Sequence, residues 1–124
     1  MPNEILLYAA SVMAAAWGVA HLFATRSVVA GFGEITQDNR RIITVEWIVE
    51  GVALISVGAF VAVATAIERD STVASGTYAV SICTLVVLAA VSLFTGAKID
   101  FLPFRLCPFI FGVAAVLIAL GAWL

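Results

Sequence analysis

The chain has 124 residues, of which 64% are hydrophobic, 11% charged and 10% aromatic, with a formal net charge of −2 and a mean hydropathy of +1.16. A soluble domain carries about a quarter charged residues, so this is the composition of a membrane protein. It excludes a nucleic-acid binder, a disordered tail and a soluble enzyme: no basic surface is left to meet phosphates, and too little polar surface to keep the chain in water.

Apolar stretches cover residues 5–24, 42–67, 73–95 and 106–124. Each is near the ~20 residues that a helix needs to cross a hydrocarbon core of about 30 Å. The expectation is an all-α membrane protein, a single domain folded as a four-transmembrane-helix bundle. The connections at 25–41, 68–72 and 96–105 hold most of the charges, with glycines and a proline in the longer two. No internal repeat and no low-complexity segment interrupts the pattern.

The first span is preceded by Met1-Pro2-Asn3-Glu4, which has no Lys or Arg; it reads as a retained span rather than a secretory signal. Near its far end lies His21, the single histidine, with Trp17 one turn before and Thr25 one turn after on the same face. Paired with a carboxylate, such an imidazole becomes a proton carrier near neutral pH. The alternative is a histidine at the headgroup boundary, hydrogen-bonded to backbone.

The second span contains Glu46 and Glu50, one turn apart and therefore on one helix face. Counted from Arg41, they lie roughly 8 and 14 Å deep at about 1.5 Å per residue. A carboxylate at such depth is costly unless protonated, paired or wetted, which makes it a functional candidate. The competing account is structural: a neutral Glu50 bonded to Ser, Thr or Trp on a neighbouring helix. Since the first two spans run in opposite directions, His21 is expected opposite Glu46. Trp47 lies between the two acids and adds an aromatic surface.

Cys83 is mid-span in the third helix and Cys107 near one end of the fourth, too different in depth for a disulfide. The fourth span opens with Leu102-Pro103-Phe104-Arg105-Leu106-Cys107-Pro108. Proline is tolerated in a first turn, where its missing N–H costs nothing, and the run aims Arg105 back toward Glu46 or Asp100. No metal is expected. A di-iron bundle wants Glu-x-x-His on two helices and a bis-histidine haem wants a second histidine. Phosphate-binding glycine loops, nucleophile elbows and triads are missing from the sequence as well.

Arg26, Arg40, Arg41, Lys98 and Arg105 fall in the first and third connections, on one side, against Arg69 on the other. The positive-inside rule then puts loops 25–41 and 96–105 in the cytoplasm and the termini outside, for a multi-pass cell-membrane protein. Helix association in lipid depends on close packing of small residues. The first span offers Ala9, Ala10, Ala14, Ala15, Ala16 and Gly18, the second Gly51, Ala53 and Gly58, and the fourth Gly112, Ala115, Ala119 and Gly121, for a tight bundle or a homodimer.

A first helix ending Gly18-Val19-Ala20-His21-Leu22-Phe23 and a second running from Glu46 to Gly58 resemble the DoxX-like small membrane proteins. His21 stands where that family commonly has lysine, and Trp47 and Glu50 are additions to its pattern. The resemblance implies an inner-membrane protein, in some members a subunit of a quinone-linked oxidoreductase. The expected function is therefore an accessory subunit that binds a quinone or lipid-like molecule at Trp17, His21, Glu46, Trp47, Glu50 and Arg105. Quinone is the expected cofactor; the lipid bilayer, an apolar small molecule and a membrane-complex partner are the expected associates. Two alternatives remain: a proton-coupled exporter of lipophilic compounds built around Glu50, and an acid–base enzyme using His21 with Glu46 or Glu50.

Overall fold

The computed structural model describes residues 2–124; Met1, at the head of the leading stretch without Lys or Arg, lies outside them. Helices α1 (Pro2–Ala30), α2 (Gln37–Glu68), α3 (Thr72–Phe94) and α4 (Leu102–Trp123) follow in order, with a short 3-10 turn at Gly96–Lys98. All four are long and apolar enough to cross a membrane. The all-α four-helix bundle expected from hydropathy is the fold, and the chain is a multi-pass membrane protein.

The helix ends depart from the apolar boundaries. α1 continues six residues past Ala24 and α2 begins five before Ile42. Nothing in residues 25–30 breaks a helix, so α1 stops only before Gly31, and Gly33 turns the chain with φ of 69°. α2 starts where the Thr36 hydroxyl accepts the Asn39 N–H at 3.2 Å. At 32 residues, α2 is about 48 Å long, well beyond a hydrocarbon core of about 30 Å. α3 is capped in the same way, Ser71 accepting from Ala74 N–H at 3.1 Å. α4 starts at Leu102, before the apolar stretch. Pro103 is therefore in its first turn but Pro108 lies inside the helix, where it removes one backbone hydrogen bond.

α1 packs against α2 and α4, α3 packs against α4, and the α2–α3 seam is the slimmest. The core is filled by Leu7, Leu54, Val61, Tyr78, Leu85, Phe111 and Ile118. Lipid offers no partners for polar atoms, so they are satisfied internally. Thr65 donates to the Val61 carbonyl at 2.7 Å and accepts from the Tyr78 hydroxyl at 3.0 Å, tying α2 to α3.

The closest approach is between α1 and α2. A Cβ placed on Gly18 would lie 2.5 Å from the Gly51 carbonyl oxygen, and one on Gly58 equally close to the Ser11 carbonyl. Gly121 meets the Asn3 carbonyl and Leu7 in the same manner, seating α4 on α1. The carbonyl oxygens among these obstacles are backbone atoms, which cannot swing aside. Gly18→Val should therefore lower stability by about 1–3 kcal/mol in a detergent-denaturation titration followed by circular dichroism. Gly76→Ala, where a Cβ meets nothing within 4 Å, should be neutral or stabilising by up to ~1 kcal/mol. Equal losses in the two variants would contradict the close-packing account.

Candidate functional site

The glycine contacts fix which residues of α2 face His21. With Gly18 against Gly51, position 21 falls beside the turn that holds Trp47 and Glu50. Measured from the helix ends, Glu46 would face His21. The structure corrects this: His21 Nε2 lies 3.4 Å from Glu50 Oε1, while Glu46 is exposed on the outer surface. The helix extensions do not matter, because register is set by the contact and not by the termini.

His21 is 5% exposed and both ring nitrogens are engaged. Nδ1 lies 3.0 Å from the Trp17 carbonyl oxygen; since a carbonyl only accepts, Nδ1 carries the hydrogen. In a neutral ring Nε2 is then a bare lone pair, facing a carboxylate that also offers only lone pairs. The contact is attractive when one proton stands between them, on nitrogen or on oxygen. In either form the pair is neutral overall and holds one exchangeable proton, which suits a site without water to solvate a lone charge. The backbone bond expected of a boundary histidine and the expected carboxylate pairing thus coexist. The Glu50 side chain is 38% exposed, so the pair extends from the core to the bundle surface.

Aromatic rings hold this imidazole. Trp47 stacks on it with centroids 4.6 Å apart and donates its indole N–H to the His21 carbonyl at 2.7 Å. Trp17 meets it edge-on at 6.2 Å and donates to Cys107 Sγ at 3.4 Å, while the thiol donates to the Pro103 carbonyl at 3.3 Å. Phe104 packs edge-on against Trp47 at 5.4 Å, with Phe101 beside it. Together Trp17, His21, Trp47, Phe101, Phe104 and Cys107 line a cavity of about 230 Å³. A second cavity of about 390 Å³, between the end of α1 and the α3–α4 connection, has Phe101 and Phe104 as the common wall.

Of the residues expected at the site, Trp17, His21 and Trp47 converge on the cavity, and Glu50 joins through His21 without lining it. Arg105 does not: it pairs with Asp100 at 3.1 Å, both side chains largely in the open. Of the two partners considered for it, Asp100 is the one it reaches, because it precedes α4 by only a short stretch whereas Glu46 faces outward. Phe101 and Phe104 are not singled out by the sequence, and Cys107 stands out there only as a free thiol and not as part of the site. The Phe-x-x-Phe spacing across the start of α4 was the available signal, obscured by the prolines around it. Cys83 and Cys107 are both free. Among the described residues, no group of three or more His, Cys, Asp or Glu side chains converges.

Compared with known proteins, the chain matches no family model, no curated protein and no solved structure. The site's geometry therefore carries the functional argument.

Because His21 is the single histidine, ¹⁵N-histidine labelling of the reconstituted protein reads this site alone. The expected spectrum has Nδ1 protonated, and in Glu50→Gln the neutral Nδ1–H tautomer persists, with the Gln amide donating to Nε2. A bare Nδ1 with protonated Nε2 in the wild type would show that the hydrogen-bond assignment is incorrect.

Proposed function

We propose that this chain binds the ring of a quinone or a comparable lipid-soluble aromatic molecule in the cavity beside His21, as an accessory subunit of a membrane oxidoreductase. The observation that supports this most is the aromatic enclosure of Trp17, Trp47 and Phe104 around an apolar cavity that touches the His21–Glu50 pair through His21. Electron-poor rings stack well on indole, and small-molecule sites are mostly apolar with few polar groups. At about 230 Å³ the cavity takes a single substituted ring, with an apolar tail left in the lipid.

A bound quinone supplies the redox chemistry, and electrons come from a partner subunit. The chain's own part is to orient the ring between Trp17 and Trp47, to exclude water, and to hold one proton at His21 Nε2 or Glu50 Oε1. This reading keeps the DoxX-like resemblance, an inner-membrane location, and an orientation with the arginine-rich end in the cytoplasm. The 3.4 Å His21–Glu50 contact also favours a second reading, acid–base catalysis on an apolar substrate. That reading requires Glu50 or Nε2 to turn toward the cavity, which Glu50 does not line.

A short-chain benzoquinone or naphthoquinone titrated into reconstituted Trp123→Phe protein, which retains only the site tryptophans, should give saturable fluorescence quenching. Trp47→Leu should weaken apparent affinity about tenfold or more, the loss of one stacked ring being ~1.4 kcal/mol. Non-saturable quenching, or saturation unaffected by Trp47→Leu, would exclude the cavity as a quinone site. Turnover of an apolar substrate without any redox partner, lost in Glu50→Gln, would instead select the acid–base reading.

A further inference from the structure

We propose that the groove between α1 and α2 at the arginine-rich end of the bundle binds the phosphodiester headgroup of an anionic phospholipid, at a site separate from the His21 cavity. The groove has a volume of about 480 Å³ and its lining includes Leu22, Phe23, Thr25, Arg26, Arg40 and Thr44. Two guanidinium groups border it and no carboxylate does.

The pairing of the other arginines makes this distribution informative. Arg41 pairs with Asp38 at 3.6 Å, Arg69 with Asp70 at 3.1 Å and Arg105 with Asp100 at 3.1 Å. Among the described residues, Arg26 and Arg40 have no carboxylate partner, and they are the two that meet at one groove. Arg40 donates once, to the Gly33 carbonyl at 3.3 Å, which holds its side chain near the end of α1 and leaves four of the five guanidinium hydrogens to offer. Two neighbouring cations with unused donors are best satisfied by an anion that accepts from both, as a phosphate does.

The walls select a lipid over a free anion. Phe23 is 86% exposed and Leu22 is partly so, an apolar surface that inorganic phosphate would leave uncovered and an acyl chain would cover. The groove lies where α1 and α2 emerge from the apolar stretches, which is headgroup level. Basic pockets between helices at that level bind anionic headgroups.

The test uses the purified full chain in neutral detergent, with bound dioleoyl phosphatidylglycerol counted by native mass spectrometry and dioleoyl phosphatidylcholine as the zwitterionic comparison. The wild type should retain phosphatidylglycerol about tenfold better than phosphatidylcholine, and Arg26→Gln with Arg40→Gln should abolish the preference. Arg69→Gln, at the other end, should leave it unchanged. If the double variant loses helical circular dichroism, 0.5 M salt added to wild type serves instead and should erase the preference by screening. Equal retention of the two lipids by wild type, a preference that survives both the double variant and salt, or displacement of phosphatidylglycerol by millimolar inorganic phosphate would each overturn the proposal.

Discussion

Everything near His21 depends on the backbone contact between α1 and α2. In lipid, apolar side chains gain nothing by leaving one hydrocarbon environment for another, so helices associate through dispersion and close approach. Gly18, Gly51 and Gly58 let the two backbones come within a distance that no side chain tolerates. That contact brings α1 and α2 into a single register, and the register places His21 against Trp47 and Glu50 rather than one turn further out. The same device at Gly121 seats α4 on α1, which brings Cys107 to Trp17 and closes the cavity on its third side.

The polar atoms of this region form one chain of satisfied contacts. Trp47 donates to the His21 backbone, His21 to the Trp17 backbone, Trp17 to Cys107, and Cys107 to Pro103. No buried side-chain nitrogen or oxygen among the described residues lacks a partner. Orientation of the imidazole is therefore fixed by the stacked Trp47, the edge contact with Trp17 and the Nδ1 hydrogen bond, leaving Nε2 with Glu50 as the one place where a proton has two sites to occupy.

Charge is arranged differently at the ends of the bundle. At one connection Arg69 is neutralised by its neighbour Asp70, while at the other end two pairs form between residues close in sequence and two arginines are left over at a groove. Local pairs on an exposed surface contribute little to stability. The leftover cations, Arg26 and Arg40, are the ones whose field no neighbouring carboxylate cancels.

The number of helices, their approximate places and the membrane environment were legible in the sequence, because hydropathy and length are properties of each segment by itself. The prominence of His21, Trp47 and Glu50 was legible for the same reason: an ionisable or hydrogen-bonding group inside an apolar run is conspicuous whatever surrounds it. Helix ends were less so, since the mixed segment 25–30 and the polar segment 37–41 continue a helix as readily as they end one when no glycine or proline intervenes. Partner choice was not legible at all. Glu46 and Glu50 share a nominal face, and only the backbone contact at Gly18 and Gly51 decided that Glu50 meets His21 while Glu46 points outward. Phe101, Phe104 and Cys107 entered the site because α4 packs on α1, a relation between segments distant in the chain that no local pattern encodes.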